Sequence, residues 1–184
     1  MMSNCSFDGI QYTNIFQNVT IVPRLDYSNG LLCGIIGILK KKRSEIKKSN
    51  KFILKECNFD DKNCQKALNI EKTISFSIEI LSQIQKRTGM ISGITSIPEI
   101  LPSAIPMIRT ISAQLYEILP ECSQKLSELS VHLGSIVLDS ATLTKARFDF
   151  SLSNEESALL LDEVKLMVDS KISKQYPNLD FFKA

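Results

Sequence analysis

The chain has 184 residues, 43% of them hydrophobic and 23% charged, with seven glycines, six prolines and no tryptophan. That composition supplies one domain with a core, which excludes a disordered or low-complexity chain. The shortage of turn residues favours helices packed on helices over a sandwich or a doubly wound sheet, so an all-α fold is expected. A net charge of +2 hides an uneven distribution: Lys40, Lys41, Lys42, Arg43, Lys47, Lys48, Lys51 and Lys55 oppose only Glu45, while Glu155, Glu156, Asp162, Glu163 and Asp169 gather near the other end. Such a division invites an anionic partner for the front and a tail that folds back as an internal competitor. The cysteines are odd in number and form no CxxC pair, which fits a reducing cytoplasm better than a disulfide framework or a zinc site.

Residues 1–28 are rich in Asn, Thr, Gln and β-favouring side chains and show no helical stripe, so an extended or disordered segment is expected there. Ser28 and Asn29 suit an N-cap, and Gly30 breaks what precedes it. From Leu31 a helix is expected through the lysines to about Cys57, with Leu32, Ile35, Ile36, Leu39, Ile46, Phe52 and Ile53 on its apolar side. Its apolar front, residues 30–39, is about half of the roughly 20 residues a spanning helix needs. Apolar first and basic second is the order of a segment that meets the membrane interface and then holds anionic headgroups, each nearby lysine adding about 1 kcal/mol. A buried first turn followed by a solvated face is the alternative. The stretch 58–63 (NFDDKN) is the natural turn, and a second helix from about Cys64 to Ser92 carries Leu68, Ile70, Ile74, Ile78, Leu81, Ile84 and Ile91. Helix, turn and helix over 31–92 predict an antiparallel hairpin.

Pro98, Pro102 and Pro106 follow at four-residue spacing. An interior helix proline costs about 3 kcal/mol, so a hinge over 95–106 is expected. Next, Ile108, Ile111, Leu115, Ile118, Cys122, Leu126, Leu129, Leu133 and Ile136 recur in threes and fours, the pattern of a coiled-coil-like seam over 107–139. A doubled step of four beside Pro120 predicts a kink between two helical segments. The alternation Phe148, Phe150, Leu152 suggests an extended linker over 140–152. Ser153 with Glu156 three residues on reads as a capping box that opens a last helix, 153–176, whose apolar face is Leu160, Leu161, Val164, Met167, Val168 and Ile172. Tyr176-Pro177 ends it.

Chemistry is sparse. His132 is the single histidine and has no nucleophile motif around it, and there is no dinucleotide, P-loop, zinc-protease or EF-hand signature. Glu155 with Glu156, and Asp162 with Glu163, are adjacent pairs that point to different azimuths of a helix, a poor arrangement for paired acid and base roles. Neither an enzyme nor a cofactor or metal site is expected.

Several stretches resemble a known family when read in order: Leu119-Pro120-Glu121, then Leu126-Ser127-Glu128-Leu129, then 133–139 (LGSIVLD), then 154–158 (NEESA), closing at Tyr176-Pro177-Asn178-Leu179, with 77–87 (SIEILSQIQKR) upstream. Together, over roughly 64–179, they resemble archaeal ESCRT-III-like cell-division proteins of the Snf7 superfamily and the CdvB group of paralogues. The resemblance implies an ESCRT-III-like helical domain over 29–179, built from a basic helical hairpin, shorter packed helices and a C-terminal acidic helix that restrains assembly. It implies a cytoplasmic protein, peripheral at the membrane of the division site, that polymerises with itself and paralogous subunits. A Vps4-like AAA ATPase would remodel the polymer. On this pattern the run from Lys40 to Lys55 is the membrane or assembly surface, and Glu155, Glu156, Leu161, Asp162, Glu163, Val164 and Val168 belong to the restraining helix. On this reading the first helix is expected to be short for the family, and no winged-helix or proline-rich segment is expected after Leu179.

Two other readings fit the charge pattern. A lysine-rich helix attracts nucleic-acid phosphate as well as lipid phosphate, although the run holds one arginine and only Phe52 as an aromatic. A paralogue that does not polymerise but regulates a partner polymer is the other.

Overall fold

The computed structural model describes residues 9–56, 62–91, 93–144 and 150–176, the side chains of 9–20, 54–56 and 150–153 excepted. Among the described residues there are five α-helices and no strand: α1 Gly9–Glu56, α2 Lys62–Thr88, α3 Ile97–Leu115, α4 Pro120–Thr144 and α5 Phe150–Gln175, with a 3-10 turn at Ile94–Ser96. The all-α class stands.

Residues 9–28, expected to be extended, are the first part of α1, which runs unbroken for 48 residues, about 72 Å at 1.5 Å per residue. A stripe was present after all, because Ile21, Leu25, Ser28, Leu32, Ile35, Ile36 and Leu39 are all buried. Pro23 stands on the exposed side, where it removes one backbone donor without opening the core. Ser28 is no cap: its hydroxyl donates to the Arg24 carbonyl one turn back at 2.8 Å. Burial overrides the weak helix propensity of this segment.

α2 runs antiparallel along the second part of α1. Thr88 Oγ1 donates to Asn29 Oδ1 at 2.6 Å, Gln85 Nε2 to Cys33 Sγ at 3.2 Å and Asn50 Nδ2 to the Ala67 carbonyl at 3.3 Å. The hairpin is therefore present, and α1 overhangs it. The overhang packs on α4, where Arg24 bonds Asp139 and Ser135 at 2.6 Å each and Tyr27 meets the His132 ring edge-on at 5.7 Å.

The proline ladder is not a hinge. The break precedes it, at 89–91 and 93–96, and all three prolines lie in α3. Pro98 occupies the first turn, where its missing N–H costs nothing. Pro102 and Pro106 follow at i+4 and i+8, so the lost bonds fall along one side of the helix, and Pro102 is itself buried in the core.

The break at Pro120 is deeper than a kink. Residues 116–119 form a turn, Pro120 is the first residue of α4, and α3 and α4 fold back on one another. The Leu119 carbonyl accepts the first helical bond of α4, from the Ser123 N–H at 3.1 Å. The seam thus closes on itself. Ile108, Ile111 and Leu115 from α3, and Cys122, Leu126, Leu129, Leu133 and Ile136 from α4, are buried together, and Ile118 is half-buried in the turn. Where the two helices approach, Ser112 Oγ donates to the Ser123 carbonyl at 2.8 Å and Ser123 Oγ to the Ser112 carbonyl at 2.7 Å.

The linker expected over 140–152 is also corrected. α4 continues to Thr144 and α5 starts at Phe150, so Phe150 and Leu152 are helical and Ser153 lies inside the helix instead of capping it; Phe148 lies outside the described residues.

Candidate assembly and membrane surface

Lys40, Lys41, Lys42, Arg43, Lys48 and Lys51 are exposed on α1 and Lys47 is half-buried, while the Lys55 side chain lies outside the described residues. The only ion pair within the run among the described residues joins Lys42 to Glu45 at 3.0 Å, and the Lys42 ammonium holds the Glu45 carboxyl below its usual range. Exposed pairs of this kind contribute little because solvent screens them, so the segment keeps a strong positive field. Phe52 stands among these cations at 71% exposure.

The acidic helix does fold back, but its ion pairs go elsewhere than the lysine run. α5 lies antiparallel on α2 and against α3, burying Val164, Val168 and Ile172, with Leu161 half-buried at the edge of the contact. Glu156 pairs with Arg87 at 2.8 Å, Asp169 with Lys72 at 3.1 Å and Lys171 with Glu79 at 3.3 Å, all on α2. Glu155, Asp162 and Glu163 are exposed. The buried Ser157 hydroxyl donates to the Ser103 carbonyl at 2.7 Å, next to the Pro102 carbonyl whose usual donor is absent at Pro106.

The far end of α5 is held by a group that pattern reading passed over. Glu71 of α2 is 2% exposed, and its carboxylate accepts from Asn50 Nδ2 of α1 at 2.7 Å, Gln175 Nε2 of α5 at 2.9 Å and the Tyr176 hydroxyl at 2.9 Å. One carboxylate therefore ties three segments together, and the three donors offset its removal from water. Burial and the neighbouring carboxylate push the Tyr176 phenol up to about 12. A signal was available, since Glu71 interrupts the apolar stripe of α2 between Leu68 and Ile74. A charge in a core stripe calls for partners from other helices.

Two other titratable groups have structural surroundings. Burial pushes the Cys122 thiol up, which makes it a packing group and a poor nucleophile. His132 shares its edge-on contact with Tyr27, and its buried Nε2 has no hydrogen-bond partner among the described residues. Among the described residues no helix is long and apolar enough to cross a membrane.

No family model matches the chain, and no solved structure matches it.

Proposed function

We propose that this chain is a self-assembling peripheral membrane protein of the ESCRT-III-like kind, acting in archaeal division or membrane remodelling by polymerising on an anionic membrane and constricting it. Its work is mechanical, and no reaction is assigned to it. The observation that carries this reading is the exposure of Lys40, Lys41, Lys42, Lys48 and Lys51 on a long helical hairpin, while the described ion pairs of the acidic helix go to α2. The cations are then free to meet lipid headgroups while α5 is still docked. The restraint exerted by α5 is steric, through the faces of α2 and α3 that it covers, and not a competition for the lysines. Paralogous subunits and a Vps4-like AAA ATPase are the partners this reading carries, with a cytoplasmic protein peripheral at the division site.

The test is sedimentation with vesicles containing anionic lipid, comparing the wild type with a variant in which Lys40, Lys41, Lys42 and Arg43 are changed to Glu. The wild type is expected to pellet, less so at high salt, and the variant to stay in the supernatant. Equal pelleting of the two overturns the role of the basic run. Stronger binding to DNA than to vesicles at equal salt turns the reading toward a nucleic-acid binder.

A further inference from the structure

α5 does not close fully on its neighbours. Beside the last turn of α3 it leaves a cleft of 390 Å³ against α2 and α3, a size within the roughly 300–1,000 Å³ of small-molecule sites. Its lining side chains divide by exposure. Val168 is buried and Phe76 half-buried, which makes the floor apolar and sets an aromatic ring in it, while Asn69, Gln114 and Lys165 are exposed around the rim.

The rim is electrostatically one-sided. Lys72 of α2 pairs with Asp169 of α5 at 3.1 Å, whereas Lys165 forms no ion pair with a described residue, so the lining keeps one formal positive charge without a partner. The side-chain amides of Asn69 and Gln114, each a donor and an acceptor, form no hydrogen bond with a described residue. Thr73 donates its proton to the Asn69 carbonyl at 2.9 Å, which leaves its oxygen able to accept. Gln114 lies in the last turn of α3, the negative end of that helix. An anionic group therefore belongs on the lysine side of the cleft, and a neutral, hydrogen-bonding part on the Gln114 side.

We propose that this cleft binds a small organic anion of nucleotide build, with an aromatic ring against Phe76, the ring edge at the Asn69 and Gln114 amides, a sugar hydroxyl at Thr73 and a phosphate at Lys165. The occupant follows from the lining. A bare phosphate would leave the Phe76 and Val168 floor uncovered, and a neutral ring would leave Lys165 without a partner. Neither the membrane part nor the self-assembly part of the function given above is needed for this site, which uses none of the lysine run. Because its lining comes from three helices, the ligand binds only while α5 is docked, and binding favours that form.

The experiment titrates the full-length protein with AMP, adenosine and inorganic phosphate at equal ionic strength, reading backbone amide shifts by NMR. AMP is expected to shift amides within 69–76, 113–115 and 165–169, with an affinity about tenfold or more above that of either fragment. Lys165→Glu should reduce AMP binding to the level of adenosine, and Phe76→Leu should bring it toward that of phosphate, with circular dichroism checking that both variants keep the fold. The variant with Lys40, Lys41, Lys42 and Arg43 changed to Glu should bind AMP as the wild type does. With AMP at ten times its Kd, amide exchange over 164–170 is expected to slow about tenfold. No shift at millimolar AMP, equal affinity for AMP and either fragment, unchanged binding in either cleft variant, loss of binding in the lysine-run variant, or unchanged exchange over 164–170 overturns the site. Pelleting with vesicles bears only on the membrane reading, so the two fail separately.

Discussion

The α3–α4 hairpin and the docked α5 are both helix-on-helix contacts, but they are held by different means. Between α3 and α4 the contact is a continuous run of fully buried Ile and Leu, closed by reciprocal serine bonds to backbone. α5 buries three aliphatic side chains, uses ion pairs that remain in water, and is fixed at its end by one buried carboxylate on another helix. The first kind of contact separates only when the domain unfolds. The second can be released locally, because most of its polar links already face solvent.

The largest expected effect breaks the hairpin side of this contrast. Leu129→Ala empties a fully buried position in α4 and should cost about 2–5 kcal/mol. Urea unfolding followed by circular dichroism should show one cooperative transition at a lower midpoint, with α5 lost in the same step. Loss of α5 signal ahead of the rest would mean that the two contacts are linked differently.

Glu71→Ala sharpens the α5 side. It leaves the buried Asn50 amide without its carboxylate partner and frees Gln175 and Tyr176, at about 1–3 kcal/mol. The expected outcome is faster amide exchange over residues 168–176 with α4 unchanged. Uniform acceleration across all helices would show that Glu71 supports the whole core and not the end of α5.

The same latch has an alkaline limit. The Tyr176 phenol, pushed up to about 12 in the folded protein from an ordinary value of 10, favours the neutral form. Its contribution is complete below about pH 10 and lost as pH rises through the folded value. Tyrosinate absorbance titration of the wild type against Tyr176→Phe should place the missing component near 12, and a component near 10 would remove the contact with Glu71.

The smallest effect concerns the ion pairs. Glu156→Gln, which removes the partner of Arg87, should change stability by about 0–1 kcal/mol, less in high salt. A larger loss by thermal melting would mean that charge, and not Val164, Val168 and Ile172, holds α5.

These contrasts also mark what was legible beforehand. The seam positions from Ile108 to Ile136 and the interruption at Pro120 were plain, because apolar periodicity and proline act over one or two turns. Whether the chain bends or doubles back at Pro120 depends on what the two apolar stripes find to cover them, and here they cover each other. Residues 9–28 and the proline ladder were misjudged for a related reason: local propensity opposes helix in both, and burial of Ile21, Leu25, Leu101 and Met107 overrides it. Ser153 and Glu156 matched a capping box by spacing alone, yet α5 begins three residues before Ser153. In the candidate surface, the exposure of the lysine run followed from its length and charge. The pairing of the acidic helix with Lys72 and Arg87 of α2 did not, because which cations face α5 is set by how α2 packs and not by net charge along the sequence.

The central claim is that α5 is a releasable cover on a lysine-faced hairpin, and amide exchange with and without anionic vesicles tests it most directly. Once the protein has polymerised on vesicles, protection over 154–176 should fall while α3 and α4 keep theirs and the exposed side of α1 becomes slower to exchange. Full retention of α5 protection in the vesicle-bound polymer would contradict the account.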